Sequence, residues 1–274
     1  MKAISPQALS TLLRDEDPHV VSLLREQLYD QGHEDLSSLE KMARDGDALV
    51  SKNLRELIAQ IRAEQNERDF ILFCHGFSDS SDLEEAAWAL ASVVFPDLDM
   101  VGGRETLDAW ARRLKTRLSP PENPVQSVRE LTRFVSRELG FRGNTQDYYN
   151  PDNCFLNQVI ERKLGIPISL SLIYLLLSHR AGLPVQGVGM PGHFICRWQD
   201  VFFDPFREGT LLSREDCERM LADMGYEFQE SYLAAASNKT ILIRMINNLV
   251  NFYAMREDET HQQKMFNFLV ALQS

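Results

Sequence analysis

The sequence has few cysteines, a deficit of basic side chains and no long hydrophobic run, and each shortage removes a class of function. Its four cysteines, Cys74, Cys154, Cys196 and Cys217, lie far apart and form no C-x-x-C pair. That spacing excludes a zinc knuckle and a thioredoxin-type site, and it makes a reducing cytoplasm the expected compartment. Lysine and arginine number 29 against 40 aspartates and glutamates, a net charge of −11. Nucleic acid and anionic membrane both reward clustered cations, so neither is expected as a partner. The longest apolar run, Ile166 to Leu177 with Ser169 and Ser171 inside it, falls short of the roughly 18 to 20 residues that span a membrane. It reads as a buried core helix. The opening residues Met1 to Gln7 contain no apolar stretch of the kind an export signal needs, so the Asn238-Lys239-Thr240 sequon is expected to stay unmodified.

No metal and no cofactor are expected. Cys74-His75 has no second ligand pair nearby. Gly187-Val188-Gly189-Met190-Pro191-Gly192 satisfies G-x-G-x-x-G, but a dinucleotide loop leads from a strand into a helix, and Pro191 with the β-like run after it supplies no helix.

At 274 residues the chain can hold one large or two modest domains. Ser5-Pro6 starts a helix with Leu9, Leu12 and Leu13 on one face, and a second helix ends at Gly32, together resembling one HEAT-type unit. Leu54, Leu57, Ile58 and Ile61 mark a third helix over residues 47–66, followed by the apolar stretch Phe70-Ile71-Leu72-Phe73. Ser81-Asp82-Leu83-Glu84 resembles a capping box for a helix to Phe95, and Glu105 to Leu118 forms the next. Ser119-Pro120-Pro121-Glu122-Asn123-Pro124 cannot continue a helix and reads as a linker. Helices are expected over Val125–Leu139, from Ser213 to Met224, over Ile241–Met255 and over Thr260–Leu272. The last two form a hairpin of tetratricopeptide-like spacing. The expected division is 1–66 helical, 67–226 an α+β core, and 227–274 a helical hairpin.

Chemistry concentrates between Tyr148 and Phe206, where a thiol (Cys154), an imidazole (His193) and a carboxylate (Asp204) follow one another. Nucleophilic thiol catalysis uses that set of groups. Pro184–Met190, His193–Trp198 and Val201–Asp204 suit strands, with Gln199-Asp200 as a tight turn. That turn puts Ile195 opposite Asp204 and His193 diagonally across on the same face, about 7 to 8 Å away between backbones. The carboxylate can then orient the imidazole. Cys196 alternates away from His193 and is expected in the core.

Tyr149-Asn150-Pro151-Asp152-Asn153, Phe155-Leu156-Asn157, Gly165-Ile166-Pro167-Ile168-Ser169-Leu170-Ser171, Gly182-Leu183-Pro184, Pro191-Gly192-His193-Phe194 and Asp204-Pro205-Phe206 together resemble the bacterial SirB-type proteins. The resemblance covers roughly Leu83 to Leu272. It implies a papain/transglutaminase-like core with a small antiparallel sheet and a tetratricopeptide-like tail, and a related core occurs in an F-box ubiquitin-ligase adaptor. Active transglutaminase-like proteins open the core helix with Gly-x-Cys. Here Gly165-Ile166-Pro167 puts proline at the cysteine's place. Ser169 and Ser171 lie within one turn. Cys154, a departure from the serine usual in the family, is the remaining thiol, and a helix N-terminus there would favour its thiolate. The leading expectation is a catalytically degenerate domain that binds protein or peptide in a regulatory role. A cysteine-type hydrolase or acyltransferase using Cys154, His193 and Asp204 is the alternative, and a helical adaptor is the third.

Overall fold

The computed structural model describes Leu9, Leu12, Leu13, His19, Val20, Leu23, Leu24 and residues 36–118 and 123–274. The expected HEAT-type pair and the first four residues of the expected Ser119–Pro124 linker fall largely or wholly outside the described residues, while Asn123 and Pro124, expected in that linker, cap and begin a helix. The fold is α+β, mostly helical with a small antiparallel sheet. The chain forms two compact units, one of residues up to Asp69 with Ser92–Leu98, the other of Phe70–Ala91 with Asp99–Ser274.

In the first unit, helix α1 (Leu36–Asp45) and the first part of α2 (Ala48–Gly76) bury Leu39, Val50, Leu54, Leu57, Ile58 and Ile61 together with Leu9, Leu13 and Leu24. Asp47 caps α2, its Oδ1 accepting from the Val50 amide at 3.0 Å. Helix α2 continues unbroken through residue 66 and the apolar stretch Phe70–Phe73 to Gly76.

The second unit is built around α7 (Pro167–Ala181), buried on every side from Pro167 to Ser178 as its uninterrupted apolar sequence requires. Helices α3 (Leu83–Val94) and α4 (Met100–Lys115) precede it in the chain, and α4 packs along α7. The cap of α3 is Asp82 rather than Ser81, since Asp82 Oδ1 accepts from the Glu84 and Glu85 amides. Helix α5 (Pro124–Thr132) passes into a π-turn over Arg133–Glu138, where the expectation was one regular helix to Leu139. Short strands β1 (Arg142–Gly143) and β2 (Leu164–Gly165) pair in parallel on either side of α6 (Leu156–Arg162).

The antiparallel sheet has the order β3 (Gln186–Val188), β4 (Ile195–Trp198), β5 (Val201–Asp204) and β6 (Thr210–Leu212). Strands β3 and β4 are shorter than expected. Pro184 has no amide to give a ladder, and the chain turns at Met190–His193 through Gly192 at φ +70. The expected hairpin register is present, with Cys196 opposite Phe203 and Trp198 opposite Val201. Helix α8 (Arg214–Asp223) starts with the Ser213/Asp216 capping box, and α9 (Asn238–Met255) packs on α10 (Glu259–Gln273) and touches α7.

Candidate active-site cleft

Two short turns build the cleft. Asp204 ends β5 and caps the Pro205–Arg207 turn, its Oδ1 accepting from the amides of Phe206 at 2.9 Å and Arg207 at 3.4 Å. Its Oδ2 receives His193 Nε2 at 2.9 Å. The carboxylate is fully buried and the imidazole 12% exposed. A carboxylate only accepts, so Nε2 carries the proton and Nδ1 is the nitrogen left for other work. Asp204 therefore fixes both the ring's orientation and its tautomer. The sequence expectation that these two residues meet across the hairpin holds as geometry.

The backbone that presents His193 is tied down by Arg244 of α9, whose Nη2 donates to the carbonyls of Met190 at 2.8 Å and His193 at 3.0 Å. Its guanidinium lies over the Phe194 ring at 5.5 Å, and burial pulls its pKa down. Neither Arg244 nor its neighbour Asn248 was singled out from the sequence. The one charge inside the apolar run Ile241 to Ile246 was the available signal, because such a charge must find a partner when the helix is buried.

A cavity of about 40 Å³, room for about one water, lies between His193, Gly192, Tyr148, Arg244 and the start of α7 at Pro167. Pro167 is the first residue of that helix, placed there because a proline lacks the amide that a first turn leaves unpaired anyway. It lines the cavity wall together with His193. Tyr148 joins this wall to an aromatic group with Tyr149, Phe206 and Phe252, at centroid separations of 5.2, 5.8 and 6.0 Å. Tyr149 is 52% exposed.

The third residue of the expected set does not line that cavity. Cys154 follows the Pro151–Asn153 turn, the cap of α6 is Phe155, and Cys154 is not among the cavity-lining residues. The thiol is buried, and both desolvation and the charge of Asp152 push its pKa up. Where a helix N-terminus was expected to favour the thiolate, burial and the Asp152 charge disfavour it. Ser169 and Ser171 are committed to the backbone. Ser169 Oγ donates to the Asn153 carbonyl at 2.5 Å and accepts from the Ile166 amide, and Ser171 Oγ donates to the Pro167 carbonyl at 2.7 Å. Cys196 is buried as expected, its thiol pushed up to about 12 by desolvation. No group of three or more metal-ligating side chains occurs among the described residues.

Residues 101–247, more than half of the chain, match the family model of the transglutaminase-like superfamily, and the chain belongs to that superfamily. It is 33% identical over 182 residues to a UPF0162 protein of Xylella fastidiosa, an overlap of 63% of this chain and 65% of that protein. A UPF0162 protein of Vibrio cholerae is 25% identical over 183 residues, 63% of this chain and 67% of that one. The F-box only protein 21 of Homo sapiens is 28% identical over 193 residues, 65% of this chain and 30% of that protein. The chain thus spans about 65% of the length of the Xylella relatives. No solved structure matches it.

Proposed function

We propose that this member of the transglutaminase-like superfamily is a catalytically degenerate, SirB-type protein that binds a protein or peptide at the His193–Asp204 cleft in a regulatory role. The observation that carries the reading is Pro167, which lines the same cavity as His193 at the helix start where the resemblance puts a nucleophilic cysteine. A pyrrolidine ring has no proton to surrender to an imidazole and no electron pair with which to attack a carbonyl. What is left is a positioned imidazole, a narrow cleft and an exposed aromatic edge at Tyr149, features that suit an extended peptide. In this reading the parts divide as 1–66, 67–226 and 227–274, the last being a tetratricopeptide-like hairpin whose Arg244 and Asn248 help to wall the cleft. A cytoplasmic setting fits the free cysteines, and no helix among the described residues is long and apolar enough to cross a membrane. Resemblance to an F-box only protein keeps a helical-adaptor role as the second reading.

The test restores the missing group. Pro167→Cys should react rapidly with iodoacetamide even at mildly acidic pH, and should lose that reactivity when combined with His193→Ala. The unaltered chain should show neither the labelling nor amine incorporation into a glutamine-bearing protein. Peptides selected on the full chain from a random display library should lose about tenfold in affinity with Asn248→Ala or His193→Ala. Amine incorporation by the unaltered chain, or a Pro167→Cys thiol indifferent to His193, would overturn the reading.

A further inference from the structure

A second cavity in the same unit has a character opposite to that of the whole chain. It encloses about 1020 Å³ between α5 with its π-turn, the segment after β1, and the loop from Phe206 to Leu211. Its lining holds five arginines, Arg129, Arg133, Arg137, Arg142 and Arg207, against one carboxylate, Glu208, in a protein of net charge −11. Arg129, Arg133 and Arg137 recur at four-residue intervals along one helical ridge. Like charges at that spacing destabilise a helix by about 0.2–0.5 kcal/mol per pair, so packing alone gives no reason to align them.

Only part of this charge is neutralised from within. Arg133 pairs with Glu130 at 2.8 Å and lies 3.8 Å from Glu138, whose other partners are Arg113 and Arg117. Arg207 Nε is 3.6 Å from Asp204 Oδ2. Arg129, Arg137 and Arg142 have no ion-pair partner among the described residues. The π-turn widens the helix here, with the Leu139 amide reaching back five residues to Phe134, and such turns recur at functional sites. Asn144, Thr145, Gln146 and Thr210 add neutral hydrogen-bonding groups, and the Phe206 ring adds an aromatic surface.

We propose that this cavity is a binding site for a phosphorylated small molecule of nucleotide size. Guanidinium forks match phosphate oxygens two at a time, three uncommitted forks call for more than one phosphoryl group, and the volume is that of a metabolite pocket. Nucleic acid does not fit, because the acidic remainder of the chain repels an extended polyanion. The cavity shares no lining residue with the His193 cleft, although it borders that cleft through Arg207, beside Asp204, and Phe206, beside Tyr148.

Calorimetric titration of the full chain at low salt tests the assignment with inorganic tripolyphosphate, a nucleoside triphosphate, orthophosphate and an oligoglutamate peptide as probes. Tripolyphosphate and the nucleotide should bind with Kd below about 1 mM and orthophosphate more weakly. Arg137→Gln and Arg142→Gln should each weaken the nucleotide about tenfold, with near-ultraviolet circular dichroism unchanged. Arg219→Gln, which removes a surface cation paired with Asp216 on α8, should leave binding as it was. Absence of nucleotide binding, equal losses in all three variants, or tighter binding of oligoglutamate than of tripolyphosphate would refute the proposal.

Discussion

Thiol reactivity separates a degenerate site from a working one, and its magnitude follows from the environments of the four cysteines. All four are buried, and desolvation pushes Cys217 up to about 11 and Cys74 and Cys196 up to about 12, with Cys154 raised as well. At about pH 7.5 an ordinary thiol is roughly a tenth ionised, whereas pKa values of 11 and 12 leave ~3 × 10⁻⁴ and ~3 × 10⁻⁵ as thiolate. Each thiolate that does form is the more nucleophilic for its higher pKa, which returns a factor of about 10 to 40. Ionisation alone thus slows attack on an aromatic disulfide reagent by about 20- to 100-fold relative to the unfolded chain. Steric exclusion slows it further, toward the rate at which the structure opens. Stopped-flow absorbance with mass mapping should show no fast phase in the native protein and four equivalent thiols in urea. A catalytic thiol behaves oppositely: it labels faster than the unfolded chain, keeps labelling at about pH 6 and loses that advantage in His193→Ala. Such behaviour at Cys154 would refute the argument that burial governs it.

Other perturbations have directions set by the same structure. Asp204→Ala leaves two backbone amides and an imidazole without their buried acceptor, and it should cost about 3–5 kcal/mol in urea unfolding followed by near-ultraviolet circular dichroism. Asp204→Asn should cost less, since an amide oxygen can still accept from the Phe206 amide. Lys163, under the rings of Trp110 at 3.8 Å and Phe141 at 4.6 Å, is pulled down to about 8 by desolvation. Its unfolded pKa is higher, so the folded state carries the full penalty below about pH 8 and sheds it as pH rises toward about 10.4. Partial exposure and the ring faces cut the gain to about 1 kcal/mol or less, and Lys163→Met should abolish this rise in unfolding curves taken across that window. At Gly143 an added Cβ would lie 2.6 Å from the Phe206 ring and 2.8 Å from its carbonyl. Gly143→Ala should therefore cost about 1–3 kcal/mol and shift the melting temperature down.

Much of this molecule was determined by the order of its residues alone. The apolar run around Ile168 to Leu177 could only be a buried helix, proline at its first turn could only be a non-nucleophile, and the Gln199-Asp200 turn set the register that brings His193 to Asp204. These are local consequences of period, ring chemistry and turn length. The tertiary structure decided what depends on surroundings. Whether a cysteine after Asp152-Asn153 is reactive or inert turns on desolvation, which no spacing encodes. Five arginines scattered from Arg129 to Arg207 became one cavity only when α5, β1 and the loop after β5 packed together. Charge in a sequence is a sum, whereas charge in a fold is a field, and the arrangement that makes this acidic chain locally cationic exists only in three dimensions.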